Sequence, residues 1–336
     1  MSEARQTAGW AAGVLCDHAR FGLAQETRFG EPSTGDFRQV RLSGASLSLS
    51  QARAYPEERN PRAERACGVT TQFAGSGTLE SLLSFGNQDA LISGALCASW
   101  RDGSITNGIE RKSWTLRQRL GDGWLYRQGV FVRSLTLSAA QDGFAQLACN
   151  VLYSGETIIP DDDAAADDPP PSRAPLHPCA SRLALALPGA VDPGILRSVS
   201  LTFGRDNAAL GYGAGSPFAR EVRPGLFSAS GSIEVMLRGH DAYEALLGCK
   251  TGPFRLSIIG QDGYGYAFTL PAAQICTPRI NACSRNAILL VGFDIEALPA
   301  SQSAGMISVS VIRPVDYEVI TVNDNPVLNN NNTISP

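Results

Sequence analysis

The chain has 336 residues, of which 43% are hydrophobic and 18% charged, and its formal net charge is -4. This length and composition allow a sizeable core, and the usual domain size predicts about two domains. No apolar stretch approaches the roughly 18 residues that span a membrane, and no basic segment followed by an apolar run opens the chain. We therefore expect a soluble protein made in a cytoplasm, without a signal peptide.

Composition divides the chain into five segments. One of them contains five aspartates followed by three consecutive prolines. A segment of this composition has too little apolar surface to fold on its own, which predicts a linker. The Asn-rich end has low complexity, so no structure is predicted there. In chain order the predicted segments are a flexible arm over 1–20, a β domain over 21–155, an acidic Pro-rich linker over 156–178, a second β domain over 179–318 and an Asn-rich tail over 319–336.

The first domain shows the patterns of strands and of one short helix. Leu47 and Leu49 alternate with serines, the period-two pattern of a strand that buries one face. Phe73–Leu83 predicts a second strand that is interrupted by small residues. A short helix follows, with Asn87 expected at its start and Gly94 at its C-terminal end. A hairpin with a glycine-containing turn closes the domain.

The second domain repeats this order of elements. The stretch FAGSGTLE begins at Phe73 and FSASGSIE at Phe227, an offset of 154 residues. Upstream, Ser46–Ser50 matches Ser198–Thr202, and downstream a second short helix is predicted to end at Gly248. An ordered set of matches of this kind predicts a tandem duplication. The expected fold class is mainly β, with two tandem duplicated domains that each carry a short flanking α-helix.

Each copy contains a long polar excursion between its first two strands, over 51–68 and 204–225. Loops of this length in a compact domain are usually functional or disordered. Acidic residues are interleaved with the arginines of the first excursion, which favours a solvated loop or a subunit contact over nucleic-acid binding. The candidate assembly residues in the two excursions are Arg53, Glu57, Arg59, Arg62, Arg65, Arg205, Tyr212 and Arg220.

The sequence offers little material for catalysis or for a metal site. It has three histidines, and none lies near a plausible nucleophile motif. Cys16-x-His18 and His177-x-Cys179 could bring four ligands to one zinc ion, but this spacing is unusual for a zinc knuckle. The aspartate cluster lacks the glycine and the glutamate of an EF-hand loop, so a solvated linker is favoured. We predict no enzyme and no metal.

Cysteines and glycines give no stronger signal. The eight cysteines have irregular spacing and are interpreted as reduced, mostly buried side chains. Cys276 and Cys283 could close a small disulfide loop, although two buried thiols are favoured. Gly211-x-Gly213-x-Gly215 lacks the surrounding βαβ unit of a dinucleotide site, so a flexible loop is favoured and no cofactor is predicted.

Taken together, several segments resemble the major tail tube proteins of long-tailed, siphovirus-like bacteriophages or related gene-transfer particles. They include the lead-in Glu26–Pro32, the twin G-[TS]-[LI]-E strands each followed by a short helix, Tyr126–Ser138 before a glycine-turned hairpin, and Phe268–Pro271. The resemblance covers roughly residues 21–315, and the order of the segments and the duplication support it. It implies tail-tube-type β-sandwich domains whose inner sheets join neighbouring chains into a barrel around a channel.

The resemblance also implies the biological role. A structural virion protein would self-assemble into rings, and stacked rings would form the tail tube through which DNA passes during ejection without sequence-specific binding. Two copies per chain would let three chains form a ring with pseudo-six-fold symmetry. Partners would be further copies of the chain and other tail proteins, not a membrane. The virion tail would be the location, after assembly in the host cytoplasm.

Two other classes of function remain open at the level of sequence. One is a two-domain β-sandwich binding module, such as a tail-tip, adaptor or adhesin protein. The other is a β-sandwich hydrolase, which the missing carboxylate pair and histidine constellation disfavour.

Overall fold

The computed structural model describes residues 19–59, 61–62, 64–120, 123–160, 167–179, 182–189, 194–236, 239, 243–244, 247–248, 250–281, 288–300 and 305–314. Most of the predicted arm, the Asn-rich tail and Asp161–Asp163 lie outside these residues, as do Cys16, His18 and Cys283. Within them, no helix is long and apolar enough to cross a membrane.

The described residues confirm a mainly β fold. They contain the helix α1 (Asp89–Leu96), nineteen strands, and helical residues at 243–244 and 247, where the second short helix was predicted. The strands are β1 (Phe21–Gln25), β2 (Phe37–Val40), β3 (Gly44–Ala54), β4 (Val69–Leu82), β5 (Ser104–Thr106), β6 (Trp114–Leu120), β7 (Gly123–Ala140), β8 (Gln146–Tyr153), β9 (Gly155–Pro160), β10 (Asp167–Asp168), β11 (Arg182–Ala186), β12 (Ile195–Asp206), β13 (Ala209–Gly211), β14 (Glu221–Arg223), β15 (Leu226–Met236), β16 (Thr251–Ile259), β17 (Gly265–Asn281), β18 (Leu290–Ala297) and β19 (Ser308–Ile312).

Eight strands from both halves of the chain form one antiparallel sheet. Their order is β3-β4-β8-β7-β12-β15-β18-β17. The halves meet where β7 pairs with β12, from Ser134 opposite Gly204 to Ala140 opposite Ser198. One hydrogen-bonded surface therefore runs through the whole chain, and we call it the eight-stranded sheet.

Two long strands continue from this sheet into a second layer. The first part of β7 pairs with β6 and β9, and the first part of β17 pairs with β16 and β19. Each strand has a register shift a few residues after it enters the eight-stranded sheet, between Val132 and Ser134 in β7 and between Cys276 and Arg279 in β17. Such bulges bend a strand and redirect its side chains. One core, which includes Leu137, Leu201 and Phe293, packs between the layers.

Strand pairings in the first half have counterparts in the second half. Leu47 lies opposite Gly77 and Leu201 opposite Gly231, so both strands of the pair are related by the same offset of 154 residues. Tandem duplication stays a prediction, which these pairings support. The matching pairs are β3–β4 with β12–β15, β4–β8 with β15–β18, β7–β8 with β17–β18, β6–β7 with β16–β17, β7–β9 with β17–β19, and β1–β6 with β11–β16.

Three expectations from the sequence need correction. The register matches Ser46 with Ser200, two residues beyond the predicted Ser198, because alternating serine and leucine fit equally well after a shift of two. The helix ends are also different. Asn87 does not cap α1, since its Oδ1 accepts the Arg41 N–H, and the helix ends at Cys97, whose φ is 48°.

The predicted linker is ordered where the structure describes it. Its first residues belong to β9, which pairs with β7, and its later part includes the buried Leu176. The Leu176 N–H donates to the Leu83 carbonyl, and the Leu176 carbonyl accepts the Ala145 N–H. A few apolar and backbone contacts thus anchor a segment whose average composition predicts disorder.

Candidate assembly surfaces

Each end of the eight-stranded sheet has a strand edge that no described strand covers. At one end this is the outer edge of β3, and at the other it is the edge of the C-terminal part of β17 that faces away from β18. Unpaired strand edges carry a row of free N–H and C=O groups that can pair with another chain. These two edges are the first candidate for assembly.

Core-facing residues at both edges are more exposed than their counterparts inside the sheet. Leu201 in β12 is fully buried, whereas the matching Leu47 in β3 is only half-buried. At the other end Ile280 of β17 is 52% exposed, whereas Leu137 of β7 is fully buried. Exposed apolar side chains at an open edge are characteristic of a surface that a further strand covers.

The side of this sheet that faces away from the core, which we call the open face, is rich in hydroxyl groups. Thr78 Oγ1 donates to Asn150 Oδ1 at 2.9 Å, and Asn150 Nδ2 donates to Ser134 Oγ at 3.0 Å. The Thr136 and Thr202 hydroxyls are 3.0 Å apart across the β7–β12 junction. Other hydroxyl residues in the same alternating positions are Ser46, Ser48, Ser50, Ser76, Ser138, Ser198, Ser200, Ser228, Ser230 and Ser232.

Charged groups on the open face include carboxylates that are paired with arginines. Arg279 Nη2 lies 2.5 Å from Asp294 Oδ1, and Arg197 Nε lies 3.6 Å from Glu234 Oε2. Glu296 is exposed on the same strand as Asp294. Pairing reduces the field that these groups present to a passing charge, so the face is polar without a basic stripe.

The second excursion folds back onto the first half of the chain. Tyr212 Oη donates to the Phe73 carbonyl at 2.7 Å, and the Phe73 N–H donates to the Pro217 carbonyl at 2.8 Å. The Phe218 ring stacks on the Phe73 ring at 5.1 Å between centroids. A Cβ on Gly155 would lie 2.6 Å from the Phe218 ring, so a glycine is required for this approach. The excursion is thus packed in place.

The first excursion is an extended hairpin with exposed side chains. Here β3 pairs with β4 as far as Ala54 opposite Val69. The Arg65 guanidinium lies 3.5 Å above the Tyr55 ring, and a Cβ on Gly68 would collide with that ring at 2.6 Å. Tyr55, Arg65 and Gly68 therefore form a small platform on an otherwise exposed hairpin.

The eight candidate assembly residues fall into two groups. The side chains of Arg53, Glu57, Arg59, Arg62 and Arg65 are exposed on the first excursion. In the second group Arg205 is buried and its Nη2 donates to the Gly108 carbonyl, Tyr212 is half-buried, and Arg220 is exposed. Their role in assembly stays a prediction. Sequence reasoning missed the open strand edges, because alternation does not show which strands lie outermost.

Other predicted site residues can also be placed. Among the described residues no group of three or more His, Cys, Asp or Glu could hold a metal ion. Gly211 ends β13, and Gly213 and Gly215 lie in the turn of the β13–β14 hairpin, so this is not a nucleotide-binding loop. Of the five described cysteines, Cys97 and Cys149 are buried, Cys276 is half-buried, and Cys67 and Cys179 are exposed, so the expectation that most are buried is not met among them. Burial raises the pKa of the Cys149 thiol to about 12.

One buried carboxylate organises the lead-in segment. Glu26 Oε1 accepts the Gly129 N–H at 2.7 Å and the Thr115 hydroxyl at 3.1 Å. Its Oε2 accepts the Ser113 hydroxyl at 2.7 Å and the Gly30 N–H at 3.0 Å. Burial raises the pKa of Glu26, and these four donors oppose the increase. The arrangement satisfies a carboxylate inside the fold and fixes the chain between β1, β6 and β7.

Tyr266 links the two halves on the other side of the core. Its fully buried side chain donates from Oη to Asp89 Oδ1 at 2.5 Å and accepts the Gly86 N–H at 2.8 Å. Burial raises the pKa of Asp89, although its hydrogen bond with Tyr266 opposes this effect. The start of α1 is thereby tied to β17.

The chain was also compared with known proteins and protein families. No curated protein matches the chain. The profile described as phage tail tube protein matches residues 17–312, which is most of the chain. This family is structural and not enzymatic. The prediction from sequence is confirmed: the chain belongs to the phage tail tube protein family and is a structural component of the phage tail.

Proposed function

We propose that three copies of this chain close into a ring through their open strand edges, and that stacked rings form a tube for DNA passage. The observation that supports this proposal is the β7–β12 junction within the chain. The outer edge of β17 corresponds to the paired edge of β7, and the outer edge of β3 corresponds to that of β12. The chain thus contains one complete junction and the two halves of another.

Barrel geometry supports three chains. Three copies of the eight-stranded sheet give 24 strands. With strands about 4.8 Å apart and tilted by about 40°, such a barrel is about 48 Å across between backbones. Two chains would give about 32 Å, before side chains narrow the channel further. The three-chain barrel leaves the wider passage for a nucleic-acid duplex.

The open face would line this channel. Hydroxyl groups and paired carboxylates give a wetted wall, while each neutralised phosphate would add salt-dependent affinity and slow translocation. A channel wall lined by hydroxyl groups such as those of Ser48, Ser200 and Ser230 should therefore hold DNA weakly and without sequence preference. Assembly would take place in the host cytoplasm, together with other tail proteins.

Electron microscopy of the purified protein over a concentration series tests the proposal. End-on views of wild-type rings should contain three chains; six chains per ring would contradict the stoichiometry. Persistent monomers at high concentration would instead favour the binding module.

A matched pair of variants tests the strand edge itself. Ile280→Lys places a charge at the open edge of β17 and should prevent ring formation at concentrations where the wild type is fully assembled. Ile158→Lys is the control, because Ile158 is also exposed, at 64%, but lies on β9 and away from both edges. Equal assembly of the two variants would argue against edge pairing.

A further inference from the structure

The two excursions lie in segments of equal length, 53–71 and 207–225, but only the second excursion is packed. Ala52 lies opposite Gln72 and Asp206 lies opposite Leu226, so the intervening segments, 53–71 and 207–225, correspond residue by residue. Segment 207–225 lies on the first half of its own chain. The surface that would hold segment 53–71 in the same way is on the second half of the chain. Within one chain the segment does not reach that surface, because β3 and β17 are at opposite ends of the eight-stranded sheet.

Besides its hydrogen bonds with Phe73, the second excursion is held on its own chain by an apolar contact. Ala208 and Val222 pack with Phe131 and Leu152 of the first half, together with Cys97. Leu152 lies opposite Ser76 in β4 and opposite Phe131 in β7. Leu152 and Phe131 thus define a contact surface in the first half. The same strand registers locate its counterpart in the second half.

In the second half of the chain the counterpart of this contact surface is polar. Glu296 lies opposite Ser230, the residue that matches Ser76, and opposite Gln274 in β17. Glu296 therefore stands where the first half has Leu152, and Gln274 where it has Phe131. The change replaces a contact between apolar side chains with a site for a charged partner.

The two surfaces also contain matching grooves. In the first half a groove of about 540 Å³ is lined by residues of β4, β7 and β8 and is bounded on one side by Thr202, Arg205 and Asp206 of β12. In the second half a groove of about 480 Å³ lies over Ser230, Cys276 and Glu296, without a wall that corresponds to β12. The strand that would supply the missing wall is β3 of another copy.

The first excursion carries a cation at the required position. Ala54 and Gly68 correspond to Ala208 and Val222, the residues that touch Leu152 and Phe131. Arg65 is held next to them, because it stacks on Tyr55, whose ring lies against Gly68. By the same offset Arg65 corresponds to Ala219, so the platform of Tyr55, Arg65 and Gly68 presents a guanidinium beside the position at which the second excursion presents Val222.

We propose that segment 53–71 docks on the Glu296 groove of a second copy of this chain, with Arg65 paired to Glu296. This inference rests on the proposed function, because the second copy is the next chain of the ring. The excursion contact between chains is then ionic and salt-dependent, whereas the corresponding contact within the chain contains an apolar cluster.

Charge reversal tests the proposed pair. Arg65→Glu and Glu296→Arg should each raise the concentration for half-maximal assembly about tenfold, and the double variant should return it to within about threefold of wild type. Arg111→Glu is the control, since Arg111 is also exposed but lies between β5 and β6, outside both excursions and outside the eight-stranded sheet. Light scattering gives the assembly curve, and electron microscopy identifies rings.

A salt series separates this inference from the proposed function. Between about 0.05 M and about 0.5 M NaCl the wild type should require increasing protein concentration to assemble, and the double variant likewise, because screening weakens exposed ion pairs. Rings that form regardless of salt, or a double variant no better than either single variant, would overturn the ionic docking and leave ring assembly intact. Absence of rings in every sample would overturn both.

Discussion

Replacing Tyr266 by phenylalanine isolates one of the contacts that tie the two halves of the chain together. The ring remains in its fully buried site, while the hydrogen bonds with Asp89 and with the Gly86 N–H are both lost. A hydrogen bond to a charged group contributes about 1.5–3 kcal/mol, and an unsatisfied buried N–H costs about 1–3 kcal/mol. Because Asp89 is only half-buried and regains water, we expect the free energy of unfolding to fall by about 3 kcal/mol.

Urea denaturation measures this change in the free energy of unfolding, at a protein concentration below the one at which rings assemble. Tyr264→Phe is the matched control, because it also removes a phenol hydroxyl, from a half-buried residue whose described contacts use the ring. Its effect should stay within about 0.5 kcal/mol. If Tyr266→Phe had an equally small effect, the hydrogen bonds at Asp89 would not contribute to stability, and the assignment of this contact as a structural link would be wrong.

Two further predictions concern Glu26 and the sheet edges. The raised pKa of Glu26 means that the native state keeps its proton above pH 4.5, where the unfolded chain releases it, so the free energy of unfolding should fall as pH rises through this window. The Glu26→Gln variant should lack this decrease. If the variant and the wild type showed the same dependence of the free energy of unfolding on pH, the prediction would be wrong. Leu201→Ala should cost about 2–5 kcal/mol in the unassembled chain, whereas Leu47→Ala should cost about 1 kcal/mol and chiefly impair assembly.

Local patterns predicted the strands well because a half-buried strand must alternate apolar and polar residues. The alternation at Leu47 and Leu49 belongs to β3, and the predicted strand from Phe73 lies within β4. The helix was located correctly, but its end was not. Gly94 is used for close packing, since a Cβ there would lie 2.8 Å from the Trp114 ring, and Cys97 takes the left-handed conformation instead.

Assembly surfaces were harder to predict because they depend on which strands are neighbours. Both excursions have polar sequences, and both were predicted to contain assembly residues. A few side chains decide the difference between them: Tyr212 and Phe218 anchor the second excursion on Phe73, whereas the first has Glu58 and Glu64 at the corresponding positions. Such anchors are visible only once the partner surface is known.

The β7–β12 junction has a consequence for the kinetics of assembly. Its two strands belong to one chain, so they meet at an effective concentration set by the connecting segment, of millimolar order for short flexible connections and independent of how much protein is present. Half of the seams in a proposed ring would then be complete before any two molecules collide. A closed ring would then need three seams between molecules instead of six, which leaves fewer partly closed intermediates with exposed strand edges.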